Sequence, residues 1–380
     1  SLALKKRQIC FVCRDIYPVL SGKDLSTAGG AEVQQMLLAK GLRDCGYSVT
    51  FLTGDFGQPD FEEIDGIGIV KFPFRFRENF GLGVIKFIAQ LRKIRPEIII
   101  LQVHHHFLFM LVLYKMLSGC KLVKKMAIDS ECTKKGMLDV GHPYVSFLNV
   151  LYLISLKFVD RIVFQTLYQE KTACDELKLS GCVIRNPAHF RNSGDLSIAS
   201  EEARNIDVLW VGTCSPRKQP QVFLEIARSL PEINFTMIIS PAKDLDFNRE
   251  IASRAKAIPN VNYLGFVPYK DIFVYFKRAK VLANTSRLEG FPNIFLQAWQ
   301  SATPIVSLTI DPDGIIRQHK LGRVSGGIIQ MKKDILELLS DRSLREELGK
   351  NAQRYLIEFH SPDVIFKKTI DLIESLKCKD

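Results

Sequence analysis

The sequence predicts an α/β protein made of two Rossmann-like domains. Three observations carry this. The chain has 380 residues, more than one hydrophobic core of ordinary size supports. Short apolar runs such as Ile98–Val103 alternate with amphipathic helical patterns, the signature of parallel strands buried on both faces. The strand–loop–helix order then starts afresh at Asp207, after a polar stretch.

In the first half, Arg7–Cys13 reads as a buried strand. A polar loop ends in Ser26–Glu32, and the next helix places Val33, Met36, Leu37 and Leu42 on one side. Gly46 stops it and Tyr47–Thr53 is the second strand, completing a βαβ unit. Gly29 and Gly30 do not fit G-x-G-x-x-G, which argues against a dinucleotide site. Two glycines before a helix either admit a ligand close to the backbone or make a tight turn. Gly66–Phe72 is a strand and Leu82–Ile94 a helix ended by Pro96. Ile98–Val103 follows, with His104, His105 and His106 at its C-terminal end, where ligands gather in open α/β sheets. Three consecutive histidines cannot all point one way, so no metal triad is expected. At least one either reaches a cleft or serves structure. Phe107–Leu117 and Val145–Phe158 are apolar helices around Lys121, Lys124, Lys125, Lys134 and Lys135. They read either as core helices with a solvated basic loop, or as a basic-apolar rim for an anionic membrane or lipid-linked acceptor. After a strand-like Leu122–Ile128, either Asp129 or Glu131 could face the cleft. Asp160–Gln165 is the last strand of this half, Val183–Pro187 closes it, and Phe190–Asn205 is the expected linker.

In the second half, Asp207–Val211 is a strand and Gly212–Pro220 a loop containing Thr213, Arg217 and Lys218. Val222–Leu230 is a helix, Phe235–Ile239 and Val261–Gly265 are strands, Phe266–Pro268 is a loop and Asp271–Ala279 a helix. The strand Ala279–Asn284 leads into Ser286–Trp299. There Gly290 and Pro292 break regular structure before an apolar helix. The first amides of such a helix have no partners within it and suit a phosphate. Glu289 lies in the turn and Gln297 one to two helical turns on. This reads as a site where amides hold a diphosphate, Glu289 binds something polyhydroxylated and Gln297 binds a ribose. Pro304–Leu308 is a strand. Asp311-Pro312-Asp313-Gly314 reads as a turn rather than a metal-binding D-x-D. Leu336, Leu339, Leu344, Leu348, Tyr355 and Phe359 hold apolar helical positions, and Ser361-Pro362 opens a last helix through Leu376.

The run Glu289-Gly290-Phe291-Pro292-Asn293 to Gln297-Ala298 resembles the E-G-F/x-P-N-x-x-x-E-A signature of retaining glycosyltransferases with the GT-B fold, the GT4-type family also called glycosyl transferases group 1. Gly212 to Gln219 resembles its V-G-R-x-x-x-x-K-G loop, and Val183–Pro187 its V-I-P-N-G segment. The resemblance implies two Rossmann-like domains facing each other across a cleft: 1–187 on the acceptor side, 188–362 binding the nucleotide sugar, and 363–380 as a helix crossing back. It implies that Glu289 and Lys218 are catalytic. Donor binding would fall to Gly29, Gly30, Thr213, Arg217, Lys218, Phe266, Glu289, Gly290, Phe291, Pro292, Asn293 and Gln297. Two departures bear on donor binding: the second Glu is Gln297 and the loop Arg is Thr213, for which Arg217 could compensate. A Gln still accepts a hydroxyl proton but has no charge.

The implied donor is a nucleotide-diphosphate sugar and the acceptor a hydroxyl, with no metal cofactor. The nine cysteines show no framework spacing and Cys10 and Cys13 read as two structural thiols. With no secretory leader or spanning segment recognisable, and Ser1 pointing to a trimmed start, the expected location is cytoplasmic, with peripheral contact on the inner membrane face. The net charge is +11, and residues 1–190 hold 25 Lys and Arg against 18 Asp and Glu. That favours an anionic partner. No nucleic-acid motif is present. The function expected is retaining sugar transfer in cell-surface polysaccharide synthesis. The alternatives are a GT-B nucleotide-sugar epimerase and a non-catalytic sugar-nucleotide-binding protein.

Overall fold

The structure, a computed structural model, describes residues 7–22, 29–72, 80–136, 143–190, 196–242 and 244–376. The loop residues 26–28 and part of the expected linker, 191–195, lie outside these. The described chain divides into two compact units. One holds the residues up to Pro187 together with those from Ile365 onward, and the other holds Ala188–Val364.

The first unit is built on an eight-stranded sheet. Its strands are β1 (Gln8–Val12), β2 (Ser48–Thr53), β3 (Phe61–Ile64), β4 (Ile67–Lys71), β5 (Ile98–Leu101), β6 (Lys121–Lys125), β7 (Arg161–Phe164) and β8 (Cys182–Val183), in the order β3-β4-β2-β1-β5-β6-β7-β8. All pairs are parallel except β3–β4. That hairpin was missed in the sequence although its signal is present. Asp65 (φ 50°) and Gly66 (φ 71°) form the two-residue left-handed turn that Asp-Gly favours. The helices are α1 (Tyr17–Ser21), α2 (Gly30–Asp44), α3 (Phe80–Ile94), α4 (Leu108–Ser118), α5 (Pro143–Leu156) and α6 (Leu167–Thr172). One face of the sheet buries Cys10, Val12, Ile99, Leu101, Leu122 and Phe164 against Phe107, Leu111 and Tyr152. The basic loop expected around residue 124 is corrected. Lys124 and Lys125 are buried in β6, and the structure pairs each with a polar partner.

The second unit carries six parallel strands: β9 (Ile206–Thr213), β10 (Phe235–Ser240), β11 (Val261–Gly265), β12 (Ala279–Asn284), β13 (Ile305–Ser307) and β14 (Gly322–Val324), in the order β11-β10-β9-β12-β13-β14. Successive residues of β9 feed opposite cores. Val208 and Trp210 join Phe223 and Phe235, while Leu209 and Val211 join Phe276, Phe295 and Trp299. The helices are α7 (Pro220–Ser229), α8 (Leu245–Lys256), α9 (Phe273–Arg278), α10 (Asn293–Gln300), α11 (Ile315–Gln318), α12 (Ile328–Ser340) and α13 (Arg342–His360). The polar α8 was not anticipated. Asp244 caps it by accepting from the Phe247 amide at 3.0 Å. Leu336 points outward rather than into the core. The Asp311–Gly314 segment is a turn: Asp311 accepts from the Ile316 amide at 2.7 Å and pairs with Arg317 at 3.1 Å.

The last helix, α14 (Pro362–Ser375), begins in the second unit and belongs to the first from Ile365 onward. Arg7 donates to the carbonyls of Ile373 at 2.9 Å and Leu376 at 2.6 Å, and Ile365 and Ile373 are buried.

Candidate functional site

In the second unit the site is assembled from two loops at the C-terminal ends of neighbouring strands. β9 extends to Thr213, two residues further than its apolar run. Pro216–Lys218 then forms one 3-10 turn, and Gln219 takes φ 50° before α7. The loop after β12 is fastened to this turn. The Arg287 amide donates to the Arg217 carbonyl at 2.9 Å, and the Thr285 hydroxyl reaches the Lys218 carbonyl at 2.8 Å. Trp210 Nε1 in turn donates to Thr285 Oγ1 at 2.9 Å, tying both loops to the core.

This fastening brings together Arg217, Lys218 and Glu289. Lys218 Nζ pairs with Glu289 Oε1, and Arg217 Nη1 donates to Oε2 at 3.0 Å and to the Leu288 carbonyl at 2.8 Å. The Glu289 side chain is 8% exposed. Burial pushes its carboxyl up, but Lys218 and Arg217 pull it down further, so it sits below its ordinary value and is ionised. The sequence reading gave this charge no protein partner, and that is corrected: two cations of the same unit balance it. Thr213, at the end of β9, pairs with Ser240 across the sheet and is not among the groups holding Glu289. The second cation comes from Arg217.

Pro292 opens α10 without a side-chain cap, leaving the first turn suited to an anion. Asn293 is its first residue, and Gln297 lies half-buried four residues on. The Gly290–Pro292 backbone is buried beside Glu289. The side chain of Phe291 is withdrawn from ligand contact. Its ring packs edge-on to Trp299 at 6.1 Å and against His360 at 4.9 Å, so only its main chain is left for a donor. Phe266 is half-buried just after β11.

In the first unit, Gly29 is the N-cap of α2 and its amide donates to Glu32 Oε2 at 2.9 Å, a bond from the third helical residue back to the cap. That amide is therefore engaged within its own helix, and Gly30 begins the helix proper. The three histidines have three environments. His104 has φ 59°, with Nε2 3.6 Å from Asp15. His105 lies 4.0 Å from Glu131 and edge-on to Tyr152, while His106 packs on Phe107 at 4.0 Å between centroids. Burial, followed by the Lys124 charge, pulls His105 down to about 3, so it is neutral. Of the two acids considered earlier, Asp129 accepts from Gln169 at 3.0 Å and Glu131 accepts from Lys124 Nζ at 2.8 Å. Sequence reasoning missed this fully buried Lys124–Glu131 pair. Two adjacent lysines read as surface, although the apolar Leu122 and Val123 before them and Met126 and Ala127 after them were a signal.

Two stretches of the chain match family models: Glycosyl transferases group 1 over residues 197–355 and Glycosyltransferase Family 4 over residues 28–124. The glycosyltransferase 1 domain-containing protein 1 of Xenopus tropicalis is 26% identical over 38% of this chain and 39% of its own length. An uncharacterized glycosyltransferase of Methanocaldococcus jannaschii is 22% identical over 90% of this chain and 94% of its own. Among solved structures, a sucrose-phosphate synthase of Thermosynechococcus elongatus superposes with TM-score 0.78 at 16% identity, over 97% of this chain and 99% of that one. HepE of Anabaena in complex with UDP-glucose gives 0.73 at 15%, over 97% and 100%.

The chain has the GT-B fold, and both of its matched stretches are similar to glycosyltransferase families. The group 1 match spans both loops that hold Arg217, Lys218 and Glu289. Chemically, the triad presents two cations and a carboxylate beside a helix N-terminus. Such a set can neutralise a diphosphate and accept hydrogen bonds from hydroxyls. No helix among the described residues is long and apolar enough to cross a membrane.

Proposed function

We propose that the enzyme transfers a sugar from a nucleoside-diphosphate donor to a hydroxyl acceptor with retention at the anomeric carbon. The observation that carries this is the grouping of Lys218, Arg217 and Glu289 beside the opening turn of α10. In this reading Lys218 and Arg217 turn to the diphosphate, and the α10 amides take further phosphate oxygens. Glu289 accepts from a donor-sugar hydroxyl and Gln297 from the ribose. As the glycosidic C–O bond breaks, the cations offset charge growing on the leaving diphosphate, whose oxygen takes the acceptor proton. The charge is supplied by side chains, and the transfer step calls for no metal. That HepE is similar in fold and was solved with UDP-glucose supports a uridine nucleotide as the first donor to try.

The proposed setting is synthesis of a cell-surface polysaccharide at the cytoplasmic face of the membrane, with a lipid-linked acceptor. A face of α4 and α5 supports it, exposing Met116, Leu117, Phe147, Val150 and Ile154.

The test incubates the enzyme with UDP-, GDP- and ADP-sugars, with and without lipid-linked and soluble acceptors. It follows nucleotide release and, by NMR, the anomeric proton of the product. Acceptor-dependent release with retained configuration is expected. Free nucleotide and an altered sugar without acceptor would indicate an epimerase, and binding without turnover a non-catalytic protein. An inverted product would overturn the retaining mechanism alone.

A further inference from the structure

A second cluster lies in the first unit, apart from the triad. Cys13 directly follows β1 and His104 follows β5 after two residues. These strands are parallel neighbours, so their loops leave the same edge of the sheet. Glu32 lies in the first turn of α2. The fold thereby brings the Cys13 sulfur, a carboxylate oxygen of Glu32 and a ring nitrogen of His104 within 4.8 Å of one another. Asp15 adds a carboxylate 3.6 Å from His104 Nε2.

The surroundings are those of a built site. Cys13 is fully buried, Glu32 is 8% exposed, and the His104 side chain 12%. Cys13, Glu32 and Asp15 are each oriented by a neighbour. Gln35 Nε2 donates to Cys13 Sγ at 3.3 Å, the Gly29 amide to Glu32 at 2.9 Å, and Arg14 forks onto Asp15 at 3.0 and 2.9 Å. Such outer partners hold metal ligands in register. His104 takes the left-handed φ of 59°, which non-glycine residues rarely adopt and which tends to persist at functional positions.

We infer that Cys13, Glu32 and His104 form a binding site for a thiophilic divalent cation of the zinc class. One sulfur, one imidazole nitrogen and one carboxylate oxygen are a zinc donor set, and Asp15 or water takes the fourth position. On binding, the Cys13 thiol loses its proton to solvent and the sulfur lone pair forms the metal bond. Nothing is oxidised or reduced. The ion ties the end of β1 to the start of α2 and the end of β5. It takes no part in the proposed transfer step, so the inference stands independently of that reading.

The experiment uses the full chain, reduced and freed of metal by chelator, titrated with cobalt(II) chloride as a spectroscopic stand-in for zinc. Binding of one equivalent is expected, with a thiolate-to-cobalt charge-transfer band in the near ultraviolet. Zinc should displace it, and about one proton should be released per ion. Cys13→Ser should abolish the band. Glu32→Gln and His104→Ala should weaken binding by about tenfold or more. Cys45→Ser and Cys174→Ser remove exposed thiols and should leave the band intact. A folded wild-type protein that gives no band, or a band that survives Cys13→Ser, would overturn the site. Should Cys13→Ser fail to fold, unchanged cobalt affinity in both His104→Ala and Glu32→Gln would overturn it equally.

Discussion

Glu289 is a buried carboxylate held by two cations, and this sets what its neighbours can do. Lys218 is paired with it at rest and turns to the diphosphate in the proposed reaction, so its loss removes a charge aimed at the leaving group. Lys218→Ala should lower transfer on the order of 100-fold in steady-state assays. Activity within twofold of wild type would show that Arg217 alone suffices. His105 makes a separate prediction. Its value falls from 6.5 to about 3 on folding, so between these the unfolded chain binds the extra proton and stability drops as pH falls. Urea unfolding at pH 8 and pH 5 should show the wild type losing about 2 kcal/mol through this group. His105→Gln should lose that much less. Equal losses in both proteins would mean that His105 titrates normally.

At the scale of elements, the helix that opens beside Glu289 is fixed by what lies behind it. α13 packs on α10, with Trp299 and Tyr355 edge-on at 5.5 Å and Phe291 capped by His360. Gly349 makes this close approach feasible, since a Cβ there would lie 2.1 Å from the Ala302 carbonyl oxygen. Main chain cannot yield cheaply. Gly349→Ala should therefore destabilise by about 1–3 kcal/mol, despite the ~1 kcal/mol that alanine normally adds to a helix. Thermal unfolding measures it, and an unchanged or raised Tm would show that the contact relaxes freely. Donor affinity should fall along with stability if α13 sets the position of α10.

For the whole molecule, α14 joins a distant stretch of chain to the first unit. Truncation after Ser361 removes the buried Ile365, Ile373 and Leu376 and strips two acceptors from Arg7. Each apolar side chain is worth roughly 1.5–3 kcal/mol, so Tm should fall by about 10 °C or more. A shift of under two degrees would show that the helix is dispensable. The exposed apolar face of α4 and α5 bears on location. With Lys124 and Lys125 buried, the exposed cations available to it include Lys134, Lys135 and Lys157. Cosedimentation should show binding to anionic vesicles that weakens with salt, and less of it after Phe147→Ser with Ile154→Ser. Equal binding to neutral and anionic vesicles, or none to either, would remove the membrane reading.

Much of the architecture was legible in the residues because it depends on local pattern. Apolar runs such as Ile98–Leu101 and Val281–Ala283 marked central strands, and the Gly290–Pro292 break marked the turn before α10. The loop carrying Lys218 and the turn carrying Glu289 were both readable, but their meeting was not. They lie 71 residues apart, and only the parallel pairing of β9 with β12 brings them together. The same limit hid Lys124–Glu131, since burial of a lysine depends on which strands flank it. Phe291 looked like a site residue because it sits in the signature, yet α13 claims its ring. Local periodicity is written along the chain. Which charges neutralise each other, and which side chains a ligand can reach, are decided by contacts between segments that the chain itself keeps far apart.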